Sequence, residues 1–261
     1  MRRNKLRELL VAEKPSFSTR VHSTWPSIVE IIGHTGMFDY VEFVAEYAPY
    51  DLYDLDNMCR AAELHDLGMM IKIDQEPRRF VVGRAVGSGF QSVLFADVRT
   101  VEEAEECVRS VRPETPEDGG CFGAATRRFA YMGYGGNADY CQALRDVVVA
   151  FMIEKKSTVD ALEDILSVRG VDMVQWGGVD FSVSIGKPGA RATPEVKAVE
   201  RRVIETALRL GVPPRAELAS VDDAKYYLDL GVRHFSLNTD ISILFSWLKQ
   251  NGEALRKVVG A

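Results

Sequence analysis

Two carboxylates in this chain sit where apolar neighbours give them no obvious structural duty. Asp180 follows the pair Gly177-Gly178 in the stretch VDMVQWGGVDFSVSIGKPGAR and lies between Val179 and Phe181. Glu154 ends DVVVAFMIE, a run that is almost wholly apolar until that residue. A pair of carboxylates, completed by waters and substrate oxygens, is how hard divalent cations such as Mg²⁺ or Mn²⁺ are held. The plainer alternative is that Glu154 starts a helix and Asp180 caps a turn. Lys72, near the end of GMMIKI, adds a cation. Beside a metal it suits an anionic substrate, such as a carboxylate next to a keto oxygen; otherwise it is a solvated strand-end lysine. A Schiff-base role would need it desolvated and without a salt partner.

The elements that must bring these groups together follow from periodicity. SFSTRVH (16–22), FDYVEFV (38–44), GMMIKI (68–73), FQSVLFAD (90–97), DVVVAFMIE (146–154), VDMVQW (171–176), PRAEL (214–218) and VRHFSL (232–237) read as strands. Helical patterns lie between most of them: around 25–35, in LYDLDNMCRAAELHDL, and after Pro77. TVEEAEECVRSVR has Thr100 as its N-cap, STVDALEDILSV carries a Ser–Asp capping-box pattern, and TPEVKAVERRVIETALRL opens Thr-Pro-Glu. Residues 113–140, with PETPEDGG and GYGGN, form the longest irregular excursion. Eight βα units predict a (β/α)₈ TIM barrel, a single domain over 1–261. The rival, an open doubly wound sheet, would offer an early GxGxxG turn, and none is present.

In a barrel the chemistry gathers at the C-terminal ends of the strands. The polar residues there are Arg20 and His22, Glu46 and Tyr47, Lys72 and Asp74, Asp97, Glu154, Asp180, Glu217 and Ser220, and Asn238 and Asp240. Arg127 and Arg128, in the long excursion, would bind an acidic substrate tail or lie on the surface. Of the histidines, His34 and His65 read as helical surface or packing residues, and His234 lies inside the eighth strand. His22 stands at a strand end, which makes it the candidate base.

Bulk properties exclude several partners. The net charge of -6 argues against nucleic acid and anionic membranes. No apolar run approaches the roughly 20 residues of a membrane span. MRRNKLRELLVAEKPSF reads as a short amphipathic helix, because its charges are too interspersed for a secretory signal, and a cytoplasmic location is the expectation. Cys59, Cys107, Cys121 and Cys141 lack CxxC spacing and point to reduced, packed thiols.

These residues resemble the HpcH/HpaI family of class II, metal-dependent pyruvate aldolases. The similarity runs through NKLRELL, FDYVEFVAEYAP, IEKKSTVDALEDILSVRGVDMVQWGGVDFSVSIG and YLDLGVRHFSLNTDISIL. The resemblance implies that Glu154 and Asp180, the latter in GGVDFS, are metal ligands for Mg²⁺, Mn²⁺ or Co²⁺. It implies that Lys72, in place of the family's arginine, helps hold the substrate. The backbone at Gly178 and Val179 would cradle pyruvate, with Glu217 also at the substrate. The metal would act as a Lewis acid on the 2-oxo acid and stabilise the pyruvate enolate. The family's D-x-E-H after the second strand is Val44-Ala45-Glu46-Tyr47 here, so its Asp/His base dyad is replaced by Val44 and Tyr47. Tyr47, His22 and a metal-bound water are the remaining candidates for proton transfer.

Three functions follow from that reading. The first is a divalent-metal-dependent carbon–carbon lyase that cleaves or forms 4-hydroxy-2-oxo acids from a 2-oxo acid and an aldehyde. The second is a decarboxylase, or another C–C lyase or synthase, on an oxaloacetate-like acid, which would need less base assistance. The third is a 2-oxo-acid binding protein without turnover. The resemblance also implies a homo-oligomer, a hexamer built as a trimer of dimers, with the C-terminal helix of ISILFSWLKQ packing on a neighbour. An intramolecular barrel helix would show the same apolar pattern.

Overall fold

The computed structural model describes residues 2–124, 127, 131–132 and 136–260. Eight parallel strands close into a barrel in chain order: β1 (Ser16–Val21), β2 (Tyr40–Val44), β3 (Gly68–Ile73), β4 (Ser92–Phe95), β5 (Val148–Ile153), β6 (Met173–Trp176), β7 (Pro214–Leu218) and β8 (His234–Thr239). The expected barrel topology is therefore present, with β8 pairing back onto β1. Twelve α-helices accompany the strands among the described residues: α1 (Lys5–Val11), α2 (Pro26–Thr35), α3 (Leu52–Glu63), α4 (Arg78–Ser88), α5 (Val101–Val111), α6 (Ala138–Arg145), α7 (Lys156–Asp160), α8 (Leu162–Leu166), α9 (Gly178–Ser184), α10 (Pro194–Arg209), α11 (Ala224–Asp229) and α12 (Asp240–Val259).

Strand alternation divides the side chains into two layers. Val41, Phe43, Met69, Ile71, Val93, Phe95, Val149, Phe151 and Ile153 belong to one large buried cluster with residues of the surrounding helices. Their alternates, Tyr40, Met70, Leu94, Val148, Ala150 and Met173, form a second cluster with Leu6 of α1. The amphipathic N-terminal segment is thus a helix whose Leu6 packs among alternate residues of the barrel strands, and its Asn4 side chain accepts the Arg7 N–H as a cap. Along the same inward rows come Glu42 above Tyr40, Lys72 above Met70 and Glu154 above Met152. Alternation alone therefore carries these charges into the barrel mouth.

Most helix starts follow the sequence signals. The Thr100 hydroxyl accepts the Glu103 N–H, and the Thr193 hydroxyl caps α10, whose first residue is Pro194. Four details differ. The capping box read at Ser157–Asp160 is absent: the helix opens at Lys156, and Asp160 pairs instead with the Lys156 ammonium at 2.5 Å. That helix also breaks at Ala161 into α7 and α8. The strand read at 232–237 lies two residues later, at His234–Thr239. His65 lies just past α3 rather than on it, with its ring 4.3 Å from that of His34.

The C-terminal helix α12 runs for 20 residues with none buried. Ile243, Leu244, Phe245, Trp247 and Leu248 are all exposed on it, so it does not cover its own barrel as an ordinary outer helix would. No helix is long and apolar enough to cross a membrane among the described residues. No disulfide joins the four cysteines among the described residues, and Cys59 and Cys107 are buried.

Candidate functional site

One cavity of about 600 Å³ opens at the C-terminal ends of the strands. Arg20, His22, Tyr47, Lys72, Gly178, Val179, Asp180 and Glu217 all line it, so the strand-end residues singled out from the sequence do meet. Asp74 and Asp97 are not among its lining residues.

Glu154 is not among the lining residues, although Met152 and Gly177 beside it are, and it is 2% exposed. Ile153 pairs with Trp176, so Glu154 continues level with Gly177. The glycine is required by space: a Cβ there would lie 2.6 Å from both Cβ and Oε2 of Glu154. One carboxylate oxygen, Oε1, accepts the Asp97 N–H at 3.1 Å. The other, Oε2, is buried with no hydrogen-bond partner among the described residues. Burial pushes this carboxyl up to about 7, against the opposing pull of Lys72 and the Asp97 N–H. A buried carboxylate oxygen left bare needs a cation or a proton.

Asp180 sits in the first turn of α9, but it is not the cap. The N-cap is Gly177, and no side chain caps this helix. The Glu154 carboxyl also feels the negative charge of Asp180, which places the two acids in mutual range. Glu154 stands one residue before the N-cap position of α7, Lys155, and Asp180 makes no capping bond to α9. No cluster of three or more His, Cys, Asp or Glu could hold a metal among the described residues. A cation here would take two protein carboxylates and fill its remaining positions with water and substrate, as hard cations do. The bare Oε2 and the glycine that makes room for it fit such an ion.

Lys72 is 6% exposed, and its ammonium makes a close ion pair with Glu46. Burial alone would lower its pKa, but Glu154 and Glu46 outweigh burial and raise it. It is therefore a fixed cation with a salt partner, which removes the Schiff-base option. The ammonium also lies 5.1 Å from the centre of the Tyr47 ring. Burial raises the Tyr47 phenol, with Lys72 opposing, so this hydroxyl keeps its proton.

One layer deeper along the strands lies an ionic network that the sequence reading missed. Arg215 and Glu42 form an ion pair at 2.5 Å with side chains 1% and 0% exposed. Arg215 also donates to the Ser18 hydroxyl at 3.0 Å and, closely, to the Gln175 side-chain oxygen. Gln175 donates to Glu217 at 2.6 Å, and Glu217 pairs with Arg20 at 2.5 Å. Glu217 is thus held on both sides. Strand alternation was the available signal: Glu42 lies two residues before Val44, and Arg215 two before Glu217.

The arginines of the long excursion do not join the site. Arg127 pairs with Glu63 at 2.8 Å and donates to the Ser88 carbonyl, and it does not line the cavity. Arg128 lies outside the described residues. His234 is buried in β8 with its Nδ1 2.9 Å from the Ser16 hydroxyl. His22 does line the cavity.

Comparison with known proteins gives this geometry its context. Residues 21–243 match the HpcH/HpaI aldolase/citrate lyase family. The 5-keto-4-deoxy-D-glucarate aldolase of Klebsiella pneumoniae is 28% identical over 257 residues, covering 97% of each chain. An HpcH/HpaI aldolase from Desulfitobacterium hafniense has the same fold, with a TM-score of 0.89 at 22% identity over 97% of both chains. A citrate lyase β subunit from M. tuberculosis, solved with oxaloacetate and magnesium, superposes with a TM-score of 0.58 at 11% identity, covering 88% of this chain and 93% of that one.

Proposed function

Because the chain belongs to the HpcH/HpaI aldolase/citrate lyase family, we propose that it is a class II aldolase, a carbon–carbon lyase that makes or breaks the bond between a pyruvate unit and an aldehyde. The observation that carries the site assignment is the bare, buried Oε2 of Glu154 beside Gly177, itself one turn of chain before Asp180. These two carboxylates would hold a divalent cation, Mg²⁺, Mn²⁺ or Co²⁺. Bound there, the cation would polarise the keto oxygen of a 2-oxo acid and stabilise enolate charge.

The chain's own residues do the rest. Lys72, fixed by Glu46, supplies a permanent positive charge toward an anionic substrate. The backbone at Gly178 and Val179 lines the cavity and lets a small acid approach closely. Glu217, braced by Arg20 and Gln175, presents a carboxylate of fixed position to the substrate. Tyr47 keeps its proton and covers Lys72 rather than acting as a base.

We read residues 1–261 as one barrel domain, assembled as a homo-oligomer, a trimer of dimers. The wholly exposed apolar side chains of α12 support that assembly. Four cysteines outside any disulfide among the described residues fit a reducing, cytoplasmic setting. The test is incubation with pyruvate, short aldehydes and Mg²⁺, Mn²⁺ or Co²⁺. A 4-hydroxy-2-oxo acid forms if the reading is right. Loss of CO₂ from oxaloacetate with no aldol product would instead establish a decarboxylase.

A further inference from the structure

We propose that His22, positioned by Asp240, is the side chain that moves the substrate's proton. The proposal rests on the aldolase reading above and names the residue that reading leaves open.

The cavity leaves few groups free to take a proton. Glu42 is paired with Arg215, Glu217 with Arg20, and Lys72 with Glu46. Glu200 accepts from Lys197 at 2.6 Å and from the Tyr227 hydroxyl at 2.9 Å, and Tyr226 also donates to it. Asp223 accepts the Ser220 N–H. Tyr47 keeps its proton. Arg191, a further lining residue, is permanently charged. Asp180 is committed to the cation. Among the described lining residues, His22 remains.

Its backbone is tied to the start of α12. Val21 pairs with Phe43, so His22 continues level with Val44 at the head of β2. The backbone N–H groups of His22 and Ser23 each donate to Asp240 at 2.9 Å, which clamps the end of β1 to the start of α12. The His22 Nδ1 is buried without a hydrogen-bond partner among the described residues and lies 3.8 Å from Asp240 Oδ1. Such contacts are often long before substrate binds. A proton on Nδ1 facing this carboxylate leaves the Nε2 lone pair as the acceptor.

The step balances in both directions. In addition, the C3–H bond of pyruvate breaks, its proton moves to Nε2, its electron pair becomes the C2=C3 bond and the C2=O π pair moves onto oxygen. The enolate then forms C3–C4 with the aldehyde carbon, and the aldehyde oxygen, receiving its π pair, takes the proton back from Nε2 as the C4 hydroxyl. In cleavage, Nε2 takes the proton of the C4 hydroxyl as the C3–C4 bond breaks. The O–H pair then forms the aldehyde C=O, the C3–C4 pair forms C2=C3, and the imidazolium returns the proton to C3.

The experiment follows deuterium entering the methyl group of pyruvate in D₂O with Mg²⁺, which needs no aldehyde. His22→Ala should slow exchange by roughly 10²- to 10⁴-fold and recover part of the rate with added imidazole. Asp240→Asn keeps one of the two oxygens that accept the His22 and Ser23 N–H groups, and circular dichroism checks its fold. It should slow exchange by about ten-fold while leaving pyruvate affinity unchanged. In the metal-free protein, ¹⁵N spectra should show His22 as the Nδ1–H tautomer and Asp240→Asn should shift it toward Nε2–H. Exchange in His22→Ala within about two-fold of wild type, or an Nε2–H tautomer in wild type, would overturn the assignment while the aldolase reading stood. A wild type that exchanges no deuterium at all would overturn the aldolase reading and the role of His22 together.

Discussion

Arg215→Met should be among the most damaging single changes in the barrel, and its companion Glu42→Leu should reverse much of the damage. The Arg215 and Glu42 side chains are 1% and 0% exposed, and they pair at 2.5 Å. Burial alone would lower the Arg215 pKa, yet Glu42 and its neighbours raise it, so the guanidinium stays charged. Removing the arginine leaves a carboxylate in the interior with no cation, which costs about 3–5 kcal/mol. Glu42 must then take up a proton or draw in water. Removing both charges leaves only the lost hydrogen bonds to Ser18 and Gln175, about 1 kcal/mol each. The double variant should therefore sit about 2 kcal/mol below wild type, with a coupling energy of at least about 2 kcal/mol. Urea denaturation followed by far-UV circular dichroism reads all four corners of the cycle, provided the slope is unchanged. A loss below about 1 kcal/mol for Arg215→Met, or strictly additive losses, would refute the reasoning.

Two further outcomes follow from the site and its floor. Burial, aided by nearby Arg215, pushes His234 down to about 4 from its ordinary 6.5. The unfolded chain then binds the extra proton first, so this contribution is intact above about pH 6.5 and is lost as pH falls toward 4, by on the order of 3 kcal/mol. His234→Gln should flatten that part of the stability–pH profile, and an unchanged acid limb would contradict the buried neutral ring. Gly177→Ala should weaken metal affinity by roughly 10- to 100-fold, because its methyl would meet Glu154 at 2.6 Å and displace the ligand. Calorimetric titration on the folded variant checks this, and wild-type affinity would show that the glycine is not needed for space.

The barrel was legible because eight short apolar runs alternate with helical patterns, and the strand ends gathered His22, Lys72, Asp180 and Glu217 into one cavity as expected. Glu154 and Asp180 were singled out for a related reason, since each charge stood in an apolar context. The Glu42–Arg215–Gln175 layer was not. These residues are far apart in the chain, and only the strand register places them opposite one another inside the barrel. Asp240 was visible as a strand-end residue, but its role depends on a three-dimensional return of β8 to β1. The failed capping box at Ser157 shows the limit of a local pattern. The spacing was right, but Asp160 found a lysine one turn back instead.

The claim on which everything else depends is that Glu154 and Asp180 hold a divalent cation. Titration of the chelator-treated protein with Mn²⁺, read by calorimetry and by the paramagnetic signal of free Mn²⁺, tests it directly. The account predicts one strongly bound ion per chain in wild type and loss of that ion in both Glu154→Ala and Asp180→Ala, with the fold retained. One tightly bound ion per chain in both variants would contradict it.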